Sequence, residues 1–286
     1  MNFVLLDEID RVARGVLVTV AATEGHTYKK RGAKALFEIG DAVPVYGNLG
    51  SLCVDQEILN QATDAYARRQ PGVITIDTRD PEDVHFGYGA FCGGVQELVI
   101  EPILSAHKAV YRSVRERLEA HHTVTLVHNL ENGELRIDEG LDQSVSMFTE
   151  RLTPPTPLLL FGATPLARVV TMLLYEMPVR VHIYDWRREH LKGFKEVVHV
   201  EVHEDAMQLD ERWLVLIMSH SYERDMEVLY EALSKRCPYV GLLSSSKRRD
   251  AMYEALLKRG VSRQALDQVH SPVGLDLGGR SDVEIA

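Results

Sequence analysis

From residue 158 onward the sequence follows a rhythm that few folds can use. Short apolar runs, LLLFG, VRVHIYD, LVLIMSH and YVGLLS, alternate with stretches of helical spacing as far as residue 259. A strand that is apolar along its whole length must be covered on both faces, and helices crossing between parallel strands supply that cover. Residues 158–286 are therefore expected to form a Rossmann-like α/β domain on a parallel sheet.

The rhythm starts just after RLTPPTP, residues 151–157. Prolines at that density disfavour helix and central strand alike, so this stretch is read as a linker. Upstream, residues 1–150 mix their periods. NFVLLDEIDRVA has helical spacing, whereas GVLVTVAAT (15–23) is apolar and β-branched, as in a strand. KALFEI (34–39), GVITIDT and VQELVIEPI read as further strands, and 53–69 and 107–122 as amphipathic helices. TVTLVHNLENGELRID reads as a hairpin turning at Asn132-Gly133. The first domain is thus expected to be α+β. A chain of 286 residues has the length for two domains of roughly 100–150 residues.

Charge narrows the partners. A net charge of −10 argues against nucleic acid and anionic membranes, which call for a basic surface. Cys53, Cys92 and Cys237 are too few and too scattered for a disulfide framework or a closed zinc site, and no metal site is expected. The opening MNFVLLDEIDRVARG carries acids inside its apolar run, unlike a secretory signal or a spanning helix. A cytoplasmic protein with free thiols and no membrane partner is the expectation.

In the second half, LLLFGATPLARVVTMLLY reads as strand, turn and helix. Of the three glycines in a dinucleotide fingerprint, Gly162 supplies the first, Thr164 stands at the second, and Ala167 can serve for the third. Pro165 suits the first helical turn. Asp185, ending VRVHIYD, suits a ribose hydroxyl acceptor. LVLIMSHSYERD puts Ser219 and His220 at a strand's carboxyl end, where open α/β sheets bind ligands, with Asp225 placed to orient the histidine. SSSKRRD (244–250) is either an anion site at a helix start or a solvated helix start. A nucleotide-binding scaffold and a Rossmann scaffold without its nucleotide both remain open on these residues.

The first half concentrates glycine around thiols. GNLGSLCVDQE (47–57) places Gly50 and then Cys53 at a helix start, where the helix dipole favours thiolate. GYGAFCGGVQELVIEP (87–102) sets Cys92 among Gly87, Gly89, Gly93 and Gly94, ahead of an apolar strand. Glycines that dense allow left-handed backbone or close approach to a ligand. TEGHTYKKRGAK (23–34) is a local basic loop, either an anion cradle or a solvated hairpin. A single buried, inert cysteine is ordinary, but two in such turns of one domain favour a chemical role for at least one. Cys237, in SKRCPYV, is read as structural.

Taken together these segments resemble the XdhC/CoxI family, accessory proteins for molybdenum hydroxylases such as xanthine dehydrogenase. VLVTVAATEGHTYKKRGAK, GNLGSLCVDQEI and FGYGAFCGGVQELVIEP are similar to the family's opening strand and loop and its two cysteine segments. LLLFGATPLA, VHIYDWR, LIMSHSYERD, YVGLLSSSKRR and VHSPVGLDLGGRSDVEIA follow in the family's order. There are departures. The family's Gly-Ala-Gly-His stands here as Gly162-Ala163-Thr164-Pro165, and its Gly-Ser-Arg as Ser244-Ser245-Ser246.

The resemblance implies a chaperone-like maturation factor, more than a turnover enzyme. It would bind molybdenum cofactor, assist its sulfuration, and insert it into a molybdenum hydroxylase. Cys53 and Cys92 become the candidate sulfur-handling or catalytic thiols. Gly50, Gly93, Gly94, Gly162, Asp185, Ser219 and His220 become candidate cofactor-binding residues, with a nucleotide at the Rossmann domain a second cofactor reading. The implied partners are the apo-hydroxylase, a cysteine desulfurase and a second copy of the chain. Two rivals stand beside it: an NAD(P)-dependent oxidoreductase on the Rossmann half, and a regulatory or scaffold relative without cofactor chemistry.

Overall fold

The computed structural model describes residues 2–49, 52–79, 93–138, 147–197 and 199–274, with the backbone alone for 52–55. The chain divides into two compact units, Phe3–Pro154 and Pro155–Ala286. Each has its own core.

Among the described residues the first unit runs α1 (Phe3–Arg11), β1 (Gly15–Gly25), β2 (Lys34–Glu38), β3 (Tyr46–Gly47), α2 (Leu52–Arg68), β4 (Gly72–Asp77) and β5 (Gly94–Pro102). It continues with α3 (Ser105–Glu119), β6 (Val124–Asn129), β7 (Leu135–Ile137) and β8 (Met147–Leu152). Strands β3-β2-β1-β5-β4 form one antiparallel sheet and β7-β6-β8 a smaller one. The apolar run of β1, interrupted by Thr19, follows from its place at the centre. Val16, Val18 and Val20 face the core that Ile58, Ala62 and Ala65 of α2 complete, while Leu17 faces the core shared with α1, α3 and the small sheet. Neighbouring residues of a strand point to opposite faces, so both must be apolar.

Between the two sheets of this unit the apolar packing gives way to buried charge. Lys34 Nζ donates to both Glu150 oxygens, at 2.7 and 2.8 Å, and to Thr19 Oγ1 at 2.8 Å. His128 Nδ1 lies 2.7 Å from Glu101 Oε1, and its Nε2 lies 3.2 Å from Glu150 Oε2 in a contact poorly aligned for a hydrogen bond. Charges taken this far from water must be paired.

The second unit runs β9 (Thr156–Phe161), α4 (Pro165–Leu173), β10 (Val179–Tyr184), α5 (Arg188–Leu191), β11 (Val200–His203) and β12 (Leu214–Ile217). There follow α6 (Tyr222–Ser234), β13 (Tyr239–Leu242), α7 (Ser246–Lys258), α8 (Arg263–Leu266) and β14 (Val269–His270). Its six described strands are all parallel, in the order β11-β10-β9-β12-β13-β14. Numbered within the unit this is 3-2-1-4-5-6, the doubly wound order of dinucleotide-binding folds. The expected parallel α/β domain after an α+β domain is what the chain adopts. Prolines 154 and 155 fall between β8 and β9, while Pro157 is the second residue of β9, where a strand still tolerates a missing donor.

Candidate functional site

Two regions gather the residues singled out in the sequence, one in each unit. In the second unit the strand order reverses between β9 and β12, and ligands of such sheets bind in the crevice at that point. Gly162 leaves β9 with φ +114°, and a Cβ there would sit 2.6 Å from the Ser219 Cα. Only glycine fits, and its absent side chain brings the 162–165 turn onto the end of β12. Thr164 caps α4: its Oγ1 accepts from the Ala167 N–H at 3.2 Å, and Pro165 follows. The residue that breaks the glycine fingerprint therefore fills one of the helix-end donors that a phosphate would otherwise use.

Asp185 is fully buried and its oxygens are engaged. They accept from the Ala163 N–H at 2.9 Å, from the Arg187 N–H and Nε at 2.9 Å each, and from Arg187 Nη2 at 2.7 Å. Burial works against the charge, but the Arg187 hydrogen bonds outweigh it and hold the carboxyl below its ordinary pKa. The carboxylate thus ties the turn after β9 to the turn after β10.

Ser219 is buried, donates through Oγ to Asp225, and accepts from the Ser221 N–H at 3.2 Å. Burial raises the pKa of Asp225, against the pull of Ser219 and Arg248. Arg248 Nη2 donates to Asp225 at 2.8 Å, and Nη1 donates to the carbonyl of His220 at 3.1 Å. That second bond steadies His220 at φ +64°, a left-handed backbone few residues other than glycine hold. Arg248 Nε is buried with no hydrogen-bond partner among the described residues. A cavity of about 470 Å³ opens here, lined by Thr164, Pro165, His220, Ser244, Ser245 and Arg248. With the amino ends of α4 and α7, a guanidinium and an imidazole around it, the cavity suits an anionic ligand.

In the first unit the pairing of β1 with β5 ends at Gly25↔Gly94. A Cβ on Gly94 would lie 2.3 Å from the His26 carbonyl, and one on Gly25 would lie 2.9 Å from the Gly93 carbonyl. Glycine is thus required at both Gly25 and Gly94 for the loop after β1 to lie on the start of β5. Gln96 Nε2 reaches the Lys29 carbonyl at 3.0 Å and fastens the basic loop there. The Gly94 carbonyl accepts from Thr78, N–H at 2.9 Å and Oγ1 at 2.8 Å. Helix α2 runs back into β4, which starts opposite Ile100 and ends opposite Val95, so the amino end of α2 is directed to this same edge. Cys53 is the second residue of α2, and its side chain lies outside the described residues, as do Gly50 and Cys92. Gly93, next to Cys92 in the chain, adopts φ +65°. Cys237 is half-buried with its thiol on the Asp210 carbonyl at 3.4 Å, and burial pushes its pKa up to about 11.

Comparison with known proteins follows the same division. Residues 158–286 match the family model of the XdhC Rossmann domain, and residues 9–77 match that of the XdhC and CoxI family. The chain belongs to the XdhC and CoxI family. It is 25% identical to a probable xanthine dehydrogenase subunit from Bacillus subtilis (strain 168), over 95% of this chain and 89% of that protein. Its fold is similar to the crystal structure of a xanthine dehydrogenase from Bacillus halodurans, with a TM-score of 0.80 at 24% identity, over 100% of this chain and 92% of that one.

Within this XdhC-type chain, Gly162, Asp185, Ser219 and His220 converge at one strand-order reversal. Gly93 and Gly94 mark an edge in the other unit. Arg248 is the residue the sequence left undistinguished inside SSSKRRD, though its position one turn into a helix after an apolar strand was the available signal. No described helix is long and apolar enough to cross a membrane.

Proposed function

We propose that this XdhC-type protein acts as a xanthine dehydrogenase accessory factor that binds molybdenum cofactor, assists its sulfuration, and inserts it into a molybdenum hydroxylase. The observation that carries the reading is the glycine edge: Gly25 and Gly94 let two backbone segments approach closer than a side chain allows, at the sheet edge to which the amino end of α2 is directed and two residues along the chain from Cys92. Close backbone donors near an anion and soft ligands near a metal are what a pterin dithiolene with a phosphate and a molybdenum centre requires. Fit is supported in the second unit by Arg248, whose buried Nε lacks a partner among the described residues, beside His220.

In this reading the cofactor is cargo. Its metal centre supplies the redox chemistry of the hydroxylase once delivered. Cys53 and Cys92 handle sulfur, Gly50, Gly93 and Gly94 give the backbone access, and His220 with Arg248 holds an anionic group. Gly162 and Ser219 set the shape of that second region, and Asp185 acts on it through Ala163. A cysteine desulfurase is the sulfur donor, an apo-hydroxylase the recipient, a second copy of the chain the expected partner, and the cytoplasm the place. The engaged Asp185 disfavours a nicotinamide dinucleotide, whose ribose would need that carboxylate.

The test is anaerobic. The protein is mixed with molybdenum cofactor and gel-filtered, and pterin fluorescence is read on the oxidised protein peak for wild type, Cys53→Ala and Cys92→Ala. Near-stoichiometric pterin on wild type, lost in at least one variant, is the expected result. Absence of pterin from all three would overturn the carrier reading and leave a scaffold.

A further inference from the structure

At one edge of the second sheet two strands carry polar side chains where a doubly wound sheet carries apolar ones. Val181 and Ile183 of β10 and Val200 and Val202 of β11 pack into the core beneath α4. Alternation therefore puts Arg180 and His182 of β10, and Glu201 and His203 of β11, on the opposite face. The parallel register pairs His182 with Glu201 and Tyr184 with His203. His182 Nδ1 lies 2.9 Å from His203 Nε2 and 3.4 Å from Glu201 Oε2. One ligand atom from each of the three residues falls within 4.8 Å of the other two.

We propose that His182, Glu201 and His203 form a binding site for a divalent transition-metal ion, with zinc the best chemical match. Two imidazoles and a carboxylate are a zinc donor set that leaves a fourth position open for water or an anion. At zinc–ligand distances of about 2.0–2.1 Å, tetrahedral ligands sit about 3.3 Å apart, so the 3.4 Å pair fits as it stands and the 2.9 Å pair opens slightly.

The neighbours orient the donors. Arg180 Nε pairs with Glu201 Oε1, which leaves Oε2 as the oxygen turned to His182. The Trp213 ring meets His182 edge-on, with centroids 4.8 Å apart, and fixes its plane. Groups of this kind behind a ligand commonly decide metal affinity. Because β11 is the edge strand and Glu201 is 40% exposed, an ion can reach the site from solvent.

The experiment uses the full, tag-free chain with Cys53→Ser, Cys92→Ser and Cys237→Ser, so that thiols cannot compete. After chelator stripping, zinc is titrated by calorimetry and cobalt(II) by its visible spectrum. The expected result is one equivalent of zinc, a cobalt spectrum of low-coordinate type, and affinity weakened at least about tenfold by His203→Gln and by Glu201→Gln. Those two side chains are more exposed than His182, and thermal melts without metal confirm that the variants fold. No zinc bound by the parent, or equal affinity in parent and both variants, overturns the proposal.

Discussion

At the scale of single residues, the strongest physical statement in the first unit is the buried chain Lys34–Glu150–His128–Glu101. Burial works against a charged imidazole, but Glu101 and Glu150 outweigh it and raise the His128 pKa from 6.5 to about 9. Burial likewise opposes the Glu150 charge, yet Lys34 and His128 bring its pKa down to about 2. A raised histidine pKa contributes stability that is complete below pH 6.5 and lost as the pH climbs through about 9. A depressed carboxyl pKa contributes stability above pH 4.5 that is lost as the pH falls through about 2. His128→Gln should therefore be less stable than wild type by about 3 kcal/mol near neutral pH, with the gap closing toward the alkaline end. Urea unfolding at a series of pH values measures it; a gap constant with pH contradicts the pairing. Lys34→Met leaves the Glu150 charge short of its partner and should cost about 3–5 kcal/mol. None of this was legible beforehand. Lys34 and Glu150 are 116 residues apart in the chain, and no local period announces such a pair.

At the scale of elements, the sequence marked those strands and helices whose environment is uniform. β1, β9 and β12 are apolar because both faces are covered, and Asn132-Gly133 turns the β6–β7 hairpin with Gly133 at φ +74°. It did not mark β11, whose VEVH alternates because Val200 and Val202 face the core beneath α4 while Glu201 and His203 lie on the opposite face. That alternation, matched by the RVH of β10, was the missed signal. At the β9–α4 turn, the sequence shows Thr164 only as the residue standing at the fingerprint's second glycine position; the structure adds that it is a cap. Thr164→Ala should cost about 1 kcal/mol and Thr164→Gly only a few tenths, read by urea denaturation of the two variants. Gly162→Ala should cost more, on the order of 2 kcal/mol, because its Cβ meets Ser219 backbone from a left-handed φ. Equal losses for Thr164→Ala and Thr164→Gly would show that Thr164 is not acting as a cap.

At the scale of the whole molecule, length and the change of rhythm after residue 157 sufficed to expect an α+β unit followed by a parallel-sheet unit. The strand order 3-2-1-4-5-6 then explains why Gly162, Ser219 and His220, distant in sequence, share one crevice: β9 and β12 are neighbours there and their following turns must diverge. The proposed function asks more of the molecule than its fold does, namely that it both takes up a cofactor and gives it up. The direct measurement is transfer. Chain loaded with molybdenum cofactor and sulfur is mixed with a cofactor-free molybdenum hydroxylase, and the appearance of hydroxylase activity is followed beside the same load on Cys92→Ala and Arg248→Met. Activity restored by wild type, and reduced by about tenfold or more in the variants, is the predicted result. Restoration no faster than with free cofactor, for wild type and variants alike, would contradict the claim that this chain is a carrier.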